Sequence, residues 1–389
     1  MRRRFLSCLL VVGLCAGCMA GQPPPPTGAT QTAPTAGPVA SATQSAAPTP
    51  TPARDFAPAT APAGGASPAP TLAATEAVSA VVGLITPASA VSVTQLALAD
   101  TGKIDQVAWS PSGALLAAAG EGGVTLFDAA TLSVTQVLTI GQWATSVAFD
   151  PSGQTVAVGT VGAIVQVWDL SRAEPTSLLL GPGVQVDQVV YDPAGRGLLA
   201  SLGVDNRAHL WNLGGQEYLR ELGAGLRPAI GLAFSPGGEW LATAEGDRVL
   251  LWPIASAIAS ADPLARSLPA PAGRRGAVTA LAFDPAGGQL AVANAAGSIE
   301  LWDPANGQPR LTLARLNSPA QHLAYSPNGR VLASAHQDRA LRLWEAGSGQ
   351  LLITLPGHTD VVTSLAFSPD GARLASSGWD GTVRVWGLR

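Results

Sequence analysis

Cysteine is almost missing from this 389-residue chain: Cys8, Cys15 and Cys18 are its three, and none follows. The body of the protein therefore has no disulfide, no thiolate nucleophile and no cysteine metal site. Charge is scarce as well, at 12% Asp, Glu, Lys and Arg, with a formal net charge of −4. A general nucleic-acid binder carries a basic excess, so no nucleic-acid partner is expected. The four histidines, His209, His322, His336 and His358, show neither His-x-x-x-His nor carboxylate–histidine spacing, so neither a metal nor another cofactor is expected. Outside the N-terminus no apolar run is long enough to span a bilayer. Glycine and proline are plentiful instead, at 44 and 32 residues, which suits many short strands joined by tight turns.

Residues 1–17 have the form of an export signal. Arg2, Arg3 and Arg4 precede an apolar stretch from Phe5 to Leu14 that is too short to be a lasting anchor. The stretch ends in Leu14-Cys15-Ala16-Gly17-Cys18, which resembles the lipobox of bacterial lipoproteins and implies lipidation of Cys18. It departs from the usual pattern at Cys15, where an apolar residue such as Leu normally stands. An ordinary cleaved signal, releasing a free secreted protein, is the alternative reading. Residues 18–82 are rich in Pro, Ala and Thr and nearly uncharged, so they bury too little apolar surface to offset their ordering entropy and read as a disordered tether. The expected location is extracytoplasmic, anchored to the bacterial cell membrane by lipid at Cys18.

Residues 83–389 are repetitive. An aromatic residue, then Ser or Asp, Pro, a small residue and Gly recur seven times, starting at Trp109, Phe149, Tyr191, Phe234, Phe283, Tyr325 and Phe367. The period is about 42 residues and is stretched between the fourth and fifth copies. In fixed phase behind each copy, Phe127, Trp168, Trp211, Trp252, Trp302, Trp344 and Trp386 end an alternating apolar run. Around the last copy, strands are predicted over 361–367, 373–377 and 382–386, joined by the Ser368-Pro369-Asp370-Gly371 turn and the Asp380-Gly381 hairpin. A fourth strand lies between copies, as over 350–355.

Four strands per period of this length form the blade of a β-propeller. The chain resembles WD-repeat proteins over residues 91–389, through Trp168-Asp169, Trp302-Asp303, Gly357-His358, and Asp205, Asp338 and Asp380 six residues before a blade tryptophan. Most copies depart from the Trp-Asp pair, and the last alone keeps Gly-His. The resemblance implies an all-β, seven-bladed propeller of four-stranded antiparallel blades. In the last blade it implies a buried hydrogen-bonded set of His358, Ser376 or Ser377, Asp380 and Trp386. The last copy stops before a fourth strand, whereas residues 91–98 have no blade of their own. The N-terminal strand should therefore complete the last blade and close the ring. The stretched interval, 254–276, reads as an outer strand with an extended loop.

Two groups of residues invite a functional reading. Asp105 and Asp187 stand four residues before their turn aromatics and are expected to line the central channel. Trp379, Lys103 and Trp143 fall on loops of the same face in blades seven, one and two, which adjoin once the ring closes, and form a candidate partner-binding patch. No constellation of side chains reads as catalytic. The expected function is a non-catalytic scaffold: a monomeric propeller binding a protein or peptide through its loop faces, by analogy with WD-repeat proteins. An envelope assembly or sensing factor is the alternative, and a propeller hydrolase or quinone-dependent dehydrogenase a third.

Overall fold

The computed structural model describes residues 83–172, 174–180, 185–223, 225, 229–260, 265–268 and 276–388. The leader, Cys18 and the tether lie outside them. Among the described residues twenty-eight strands form seven separate four-stranded antiparallel sheets. Blade one runs outward through Ile104–Trp109, Leu115–Gly120, Gly123–Asp128 and Val134–Leu138. Blades two to six repeat it, starting from Ala144–Phe149, Val186–Tyr191, Ala229–Phe234, Val278–Phe283 and Ala320–Tyr325. Each first strand touches the first strands of both neighbouring blades, so the seven form a closed inner ring.

Closure follows the strand count. Blade seven takes Val362–Phe367, Arg373–Gly378 and Thr382–Gly387 from the C-terminal end and Thr94–Asp100 from the N-terminal end, with Leu98 opposite Arg384 and Asp100 opposite Thr382. Just before that strand, Ile85, Ala90 and Val93 are buried among Leu341, Leu355, Val362 and Leu388. The segment thus bolts blade seven to blade six as well as completing it.

No blade holds its own core. The buried residues fall into seven clusters, each shared by two adjacent blades; one joins Leu126 of blade one to Val147, Phe149 and Trp168 of blade two. A propeller wedge narrows inward, and small residues such as Ala117, Ala118 and Ala119 or Ala333 and Ala335 fill the second strands, where wider side chains would splay the blades.

The seven turns explain the repeat signature. Gly113, Gly153, Gly195, Gly238, Gly287, Gly329 and Gly371 all adopt φ between +70° and +74°, which a residue with Cβ reaches only at a cost. Five of these glycines sit under the turn proline of the preceding blade, as Gly153 does under Pro111 and Gly113 under Pro369. Blade three breaks the series. Its turn holds one more residue, and Arg196 uses the space to pair with the buried Asp192 at 2.7 Å and to donate to the Gly238 carbonyl of blade four.

The stretched interval differs from the expectation. The helix Ile254–Ala259 comes first, burying Ile254 and Ala257 against blade three, and the outer strand among the described residues is Arg266–Leu268. The alternating pattern of a strand does not survive in Ile254-Ala255-Ser256-Ala257-Ile258-Ala259, whose apolar residues suit one helical face. Among the described residues no helix is long and apolar enough to cross a membrane.

Candidate functional site

In the last blade, His358, Ser376, Asp380 and Trp386 form one hydrogen-bonded chain. The indole N–H of Trp386 donates to Ser376 Oγ at 2.9 Å, and His358 Nε2 lies 2.8 Å from the same oxygen. His358 Nδ1 is 2.9 Å from Asp380 Oδ2, which also accepts the Thr359 N–H at 2.8 Å. Ser377 is not in the chain; its hydroxyl meets Thr363. Burial pushes the His358 pKa down, against the opposing pull of Asp380. For Asp380, burial is outweighed by the Thr359, Thr382 and His358 contacts, and the carboxyl stays below its ordinary value. The group is sealed and satisfied, which suits it to holding strands together.

Related sets occur elsewhere, built with serines and histidines the spacing did not flag. In blade six, Ser334 accepts from Trp344 at 2.8 Å and contacts His336 Nε2 at 2.8 Å, so a histidine from the second strand replaces the one from the loop. In blade three, Trp211 donates to Ser201 at 3.0 Å, while His209 bridges Asp205 at 3.0 Å and the Tyr218 hydroxyl at 3.1 Å. The chain thus makes its polar blade sets by three routes. Motif spacing found one because the other histidines reach the same space from different strands.

The loop face is set by a recurrent irregularity. Every first strand carries a register shift against its second strand, so the skipped residue bulges out: Asp105, Thr145, Asp187, Thr279, Gln321 and Thr363, and the Ile230-Gly231 pair in blade four. A bulge re-aims its side chain. Where it is threonine, the hydroxyl donates to the next blade's main chain, from Thr145 to Val186 O, Thr279 to Ala320 O and Thr363 to Ile104 O. The next residue latches the inner ring. Gln106 Oε1 accepts from Val147 N–H at 3.0 Å, Ser146 Oγ from Val189 N–H at 2.8 Å, and Gln188 exchanges two 3.0 Å bonds with Leu232. A single sequence does not reveal these latches, because Gln, Ser and His fill the position interchangeably.

Asp105 is a bulge residue that cannot donate. It is half-buried and accepts instead from two tryptophans on different blades: Trp143 Nε1 of blade two at 2.7 Å and Trp379 Nε1 of blade seven at 3.4 Å. Lys103, two residues earlier, is exposed, and its carbonyl accepts the Glu121 N–H at 3.1 Å. Lys103, Trp143 and Trp379 therefore border one mouth, organised around a carboxylate. Asp187 stands at the matching position of blade three, where Gln185 Nε2 donates to it at 2.7 Å. Among the described residues no group of three or more His, Cys, Asp or Glu side chains is placed to hold a metal ion.

Seven four-stranded blades, two of them holding Trp–Ser–His sets, closed by a strand from the other end of the chain, define a repeat β-propeller. Residues 134–169, 265–303, 311–345 and 349–387 match the family model described as WD40: WD domain, G-beta repeat, and the chain is a WD40-repeat β-propeller. It is 31% identical over 164 residues to the small ribosomal subunit protein RACK1y of Oryza sativa subsp. japonica, covering 41% of this chain and 47% of that protein. It is also 31% identical over 191 residues to transducin beta-like protein 3 of Bos taurus, covering 46% of this chain and 23% of the relative. The chain thus spans less than half the length of either.

Proposed function

We propose that this propeller is a non-catalytic binding platform, held at the outer side of a bacterial cell membrane by lipid on Cys18 and docking a protein segment at the mouth bordered by Lys103, Trp143 and Trp379. The observation that carries the docking face is the convergence of two indoles, from blades two and seven, on Asp105. Aromatic side chains held in place lose little entropy on binding and dominate interface hot spots. The chain matches the WD40 repeat family, and interaction through loop faces is the general use of that fold.

The anchor reading rests on the Leu14-Cys15-Ala16-Gly17-Cys18 sequence and on the tether behind it. Two or three acyl chains give firm attachment, because each buried CH₂ contributes about 0.8 kcal/mol. Replacing Cys18→Ser should move the protein from the membrane pellet to the soluble fraction; a variant that still sediments with membranes would refute lipid anchoring at that residue. The docking face is tested by affinity capture from detergent-solubilised native membranes. The full chain should retain a partner that Trp143→Ala/Trp379→Ala loses while keeping its circular dichroism. Equal recovery by both forms would move the contact to another surface.

A further inference from the structure

We propose that Tyr218, on the outer strand Glu217–Leu222 of blade three, is a redox modification site: one-electron oxidants of the peroxyl-radical class convert it to a phenoxyl radical, and His209 takes the phenolic proton. The chain has three tyrosines, and the surroundings of their hydroxyls differ. Tyr325 is buried, with no hydrogen-bond partner for its hydroxyl. The Tyr191 hydroxyl meets Thr155 Oγ1 at 3.2 Å, and a threonine is no base. Of the three, Tyr218 is the one paired with an imidazole, at 3.1 Å from His209 Nδ1, and it is the most exposed, with 44% of its surface open.

The pair is oriented from its far end. Asp205 stands in the hairpin before the strand Ala208–Asn212 that carries His209, and its Oδ2 lies 3.0 Å from His209 Nε2. An ionised carboxylate only accepts, so Nε2 carries the ring proton and the neutral ring presents its Nδ1 lone pair to the Tyr218 O–H. Asp205 is itself fixed by the Arg207 N–H, which donates to Oδ1 at 3.2 Å, and the imidazole is buried. A base within hydrogen-bond reach, held by a third group, is the arrangement that removes a proton as the bond to it breaks. In the step proposed, Tyr218 gives one electron to the oxidant and its O–H proton to His209 Nδ1. The products are a neutral phenoxyl radical and an imidazolium beside Asp205; the peroxyl radical, with that electron and a solvent proton, becomes a hydroperoxide.

The surroundings favour removing electron and proton together. Burial, then Glu221 and Asp205, push the Tyr218 phenol up to about 12 against the pull of Arg207, so little phenolate forms to be oxidised by itself. Loss of the electron alone would leave a radical cation, a strong acid, with a base 3.1 Å away to discharge it. Trp211 lies edge-on to the Tyr218 ring, the centroids 4.9 Å apart, and its own N–H donates to the Ser201 hydroxyl at 3.0 Å. That hydroxyl is no base, so an electron hole arriving at Trp211 passes to Tyr218, where the proton can leave. The exposed part of the ring then couples with a second phenoxyl radical through a C–C bond, and the hydrogens on the joined carbons move to the two oxygens.

The test photo-oxidises the full chain with ruthenium tris(bipyridine), a cobalt(III) ammine as sacrificial acceptor and N-acetyltyrosine amide as the radical trap, and locates adducts by peptide mass spectrometry. Tyr218 should carry the adduct ahead of Tyr191 and Tyr325, and peroxyl radicals from a water-soluble azo initiator should mark the same residue. His209→Gln still accepts a hydrogen bond but takes no proton, and it should form the Tyr218 adduct about a hundredfold more slowly, the lower end of what a positioned base contributes. Added imidazole should restore the adduct in that variant and leave the yield of the native chain unchanged, a response that a merely structural role for His209 would not produce. Asp205→Asn keeps the ring in place without fixing its tautomer; it should also slow the adduct, and it carries the test if His209→Gln does not fold. An unchanged Tyr218 yield in either folded variant would show that exposure alone governs the residue and would overturn the inference. Adducts appearing first at Tyr191 or Tyr325, or a native yield that rises with imidazole, would do the same.

Discussion

At the scale of single residues, the blade tryptophans show how one missing atom redistributes polarity. Trp386, Trp344 and Trp211 donate to a serine ten residues back in the chain, and Trp252 to Thr243 at 3.0 Å. Blades two and five have Val158 and Val292 in that place. In blade two Gln166 supplies the acceptor instead, at 2.9 Å from Trp168 Nε1. In blade five Glu300 stands at the Gln166 position. There Trp302 Nε1 and Glu300 Oε2 are both buried without a well-formed hydrogen bond, beside a cavity of about 10 Å³, and burial pushes the Glu300 carboxyl up. Val292→Thr adds a hydroxyl of matching shape beside Trp302 and should raise stability by about 1 kcal/mol in urea unfolding. A destabilised variant would show that the tryptophan does not accept this replacement. The reverse change, Ser376→Ala, strips an acceptor shared by Trp386 and His358 and should cost about 2–3 kcal/mol.

The buried histidines give a pH dependence at the same scale. His336 and His322 are both pushed down to about 4, chiefly by burial. In the unfolded chain their pKa is near 6.5, so between those values the unfolded state binds protons that the native state refuses. Stability therefore falls as pH drops from about 6.5 to about 4, by about 3 kcal/mol for the wholly buried His336 alone. Urea midpoints between pH 7 and 4.5 should decline along this window, and His336→Asn should flatten part of it. A wild-type midpoint constant over the range would show that these rings protonate without unfolding.

At the scale of elements, strand number and order were legible because turn chemistry is local. Ser-Pro-x-Gly dictates a proline-fixed entry and a positive-φ exit whatever the blade packs against, and the unpaired 91–98 segment followed from counting. The bulges and latches were not legible, since they answer to the neighbouring blade's main chain and not to any period within the repeat. Asp105 and Trp143 could be placed on one face from phase alone. That they touch depends on the bulge turning Asp105 toward blade two, which no spacing announces.

The closing strand is the element with the largest leverage. Thr94–Asp100 covers the edge of Thr382–Gly387, and Ile85, Ala90 and Val93 fill the seam with blade six. A chain beginning at residue 101 exposes that edge to pairing with another copy. It should melt well below a chain beginning at residue 83 and form dimers or larger species by light scattering. A monomer of unchanged melting temperature would show that the three C-terminal strands suffice.

For the whole molecule, stability is a sum over seven seams, and the seams differ. Seam one–two is latched by Gln106, two–three by Ser146 and three–four twice by Gln188; His322 bonds the Leu365 main chain across six–seven. At four–five Gly231 of the two-residue bulge stands in phase with these latches, three residues before Phe234, and its missing side chain leaves the space to Leu281 of blade five. Among the described residues blade four also has the shortest outer strand, and the Glu300 cavity lies in the same seam. A ring opens first at a seam without a cross-blade latch, because breaking one seam leaves the other six cores intact. Native-state hydrogen exchange should therefore find a lower opening free energy for the amides of Val278–Phe283 than for those of Val186–Tyr191, although the two strands occupy the same place in their blades. Equal protection would mean that the ring opens as one unit, with its seven cores coupled too tightly for a missing latch to matter.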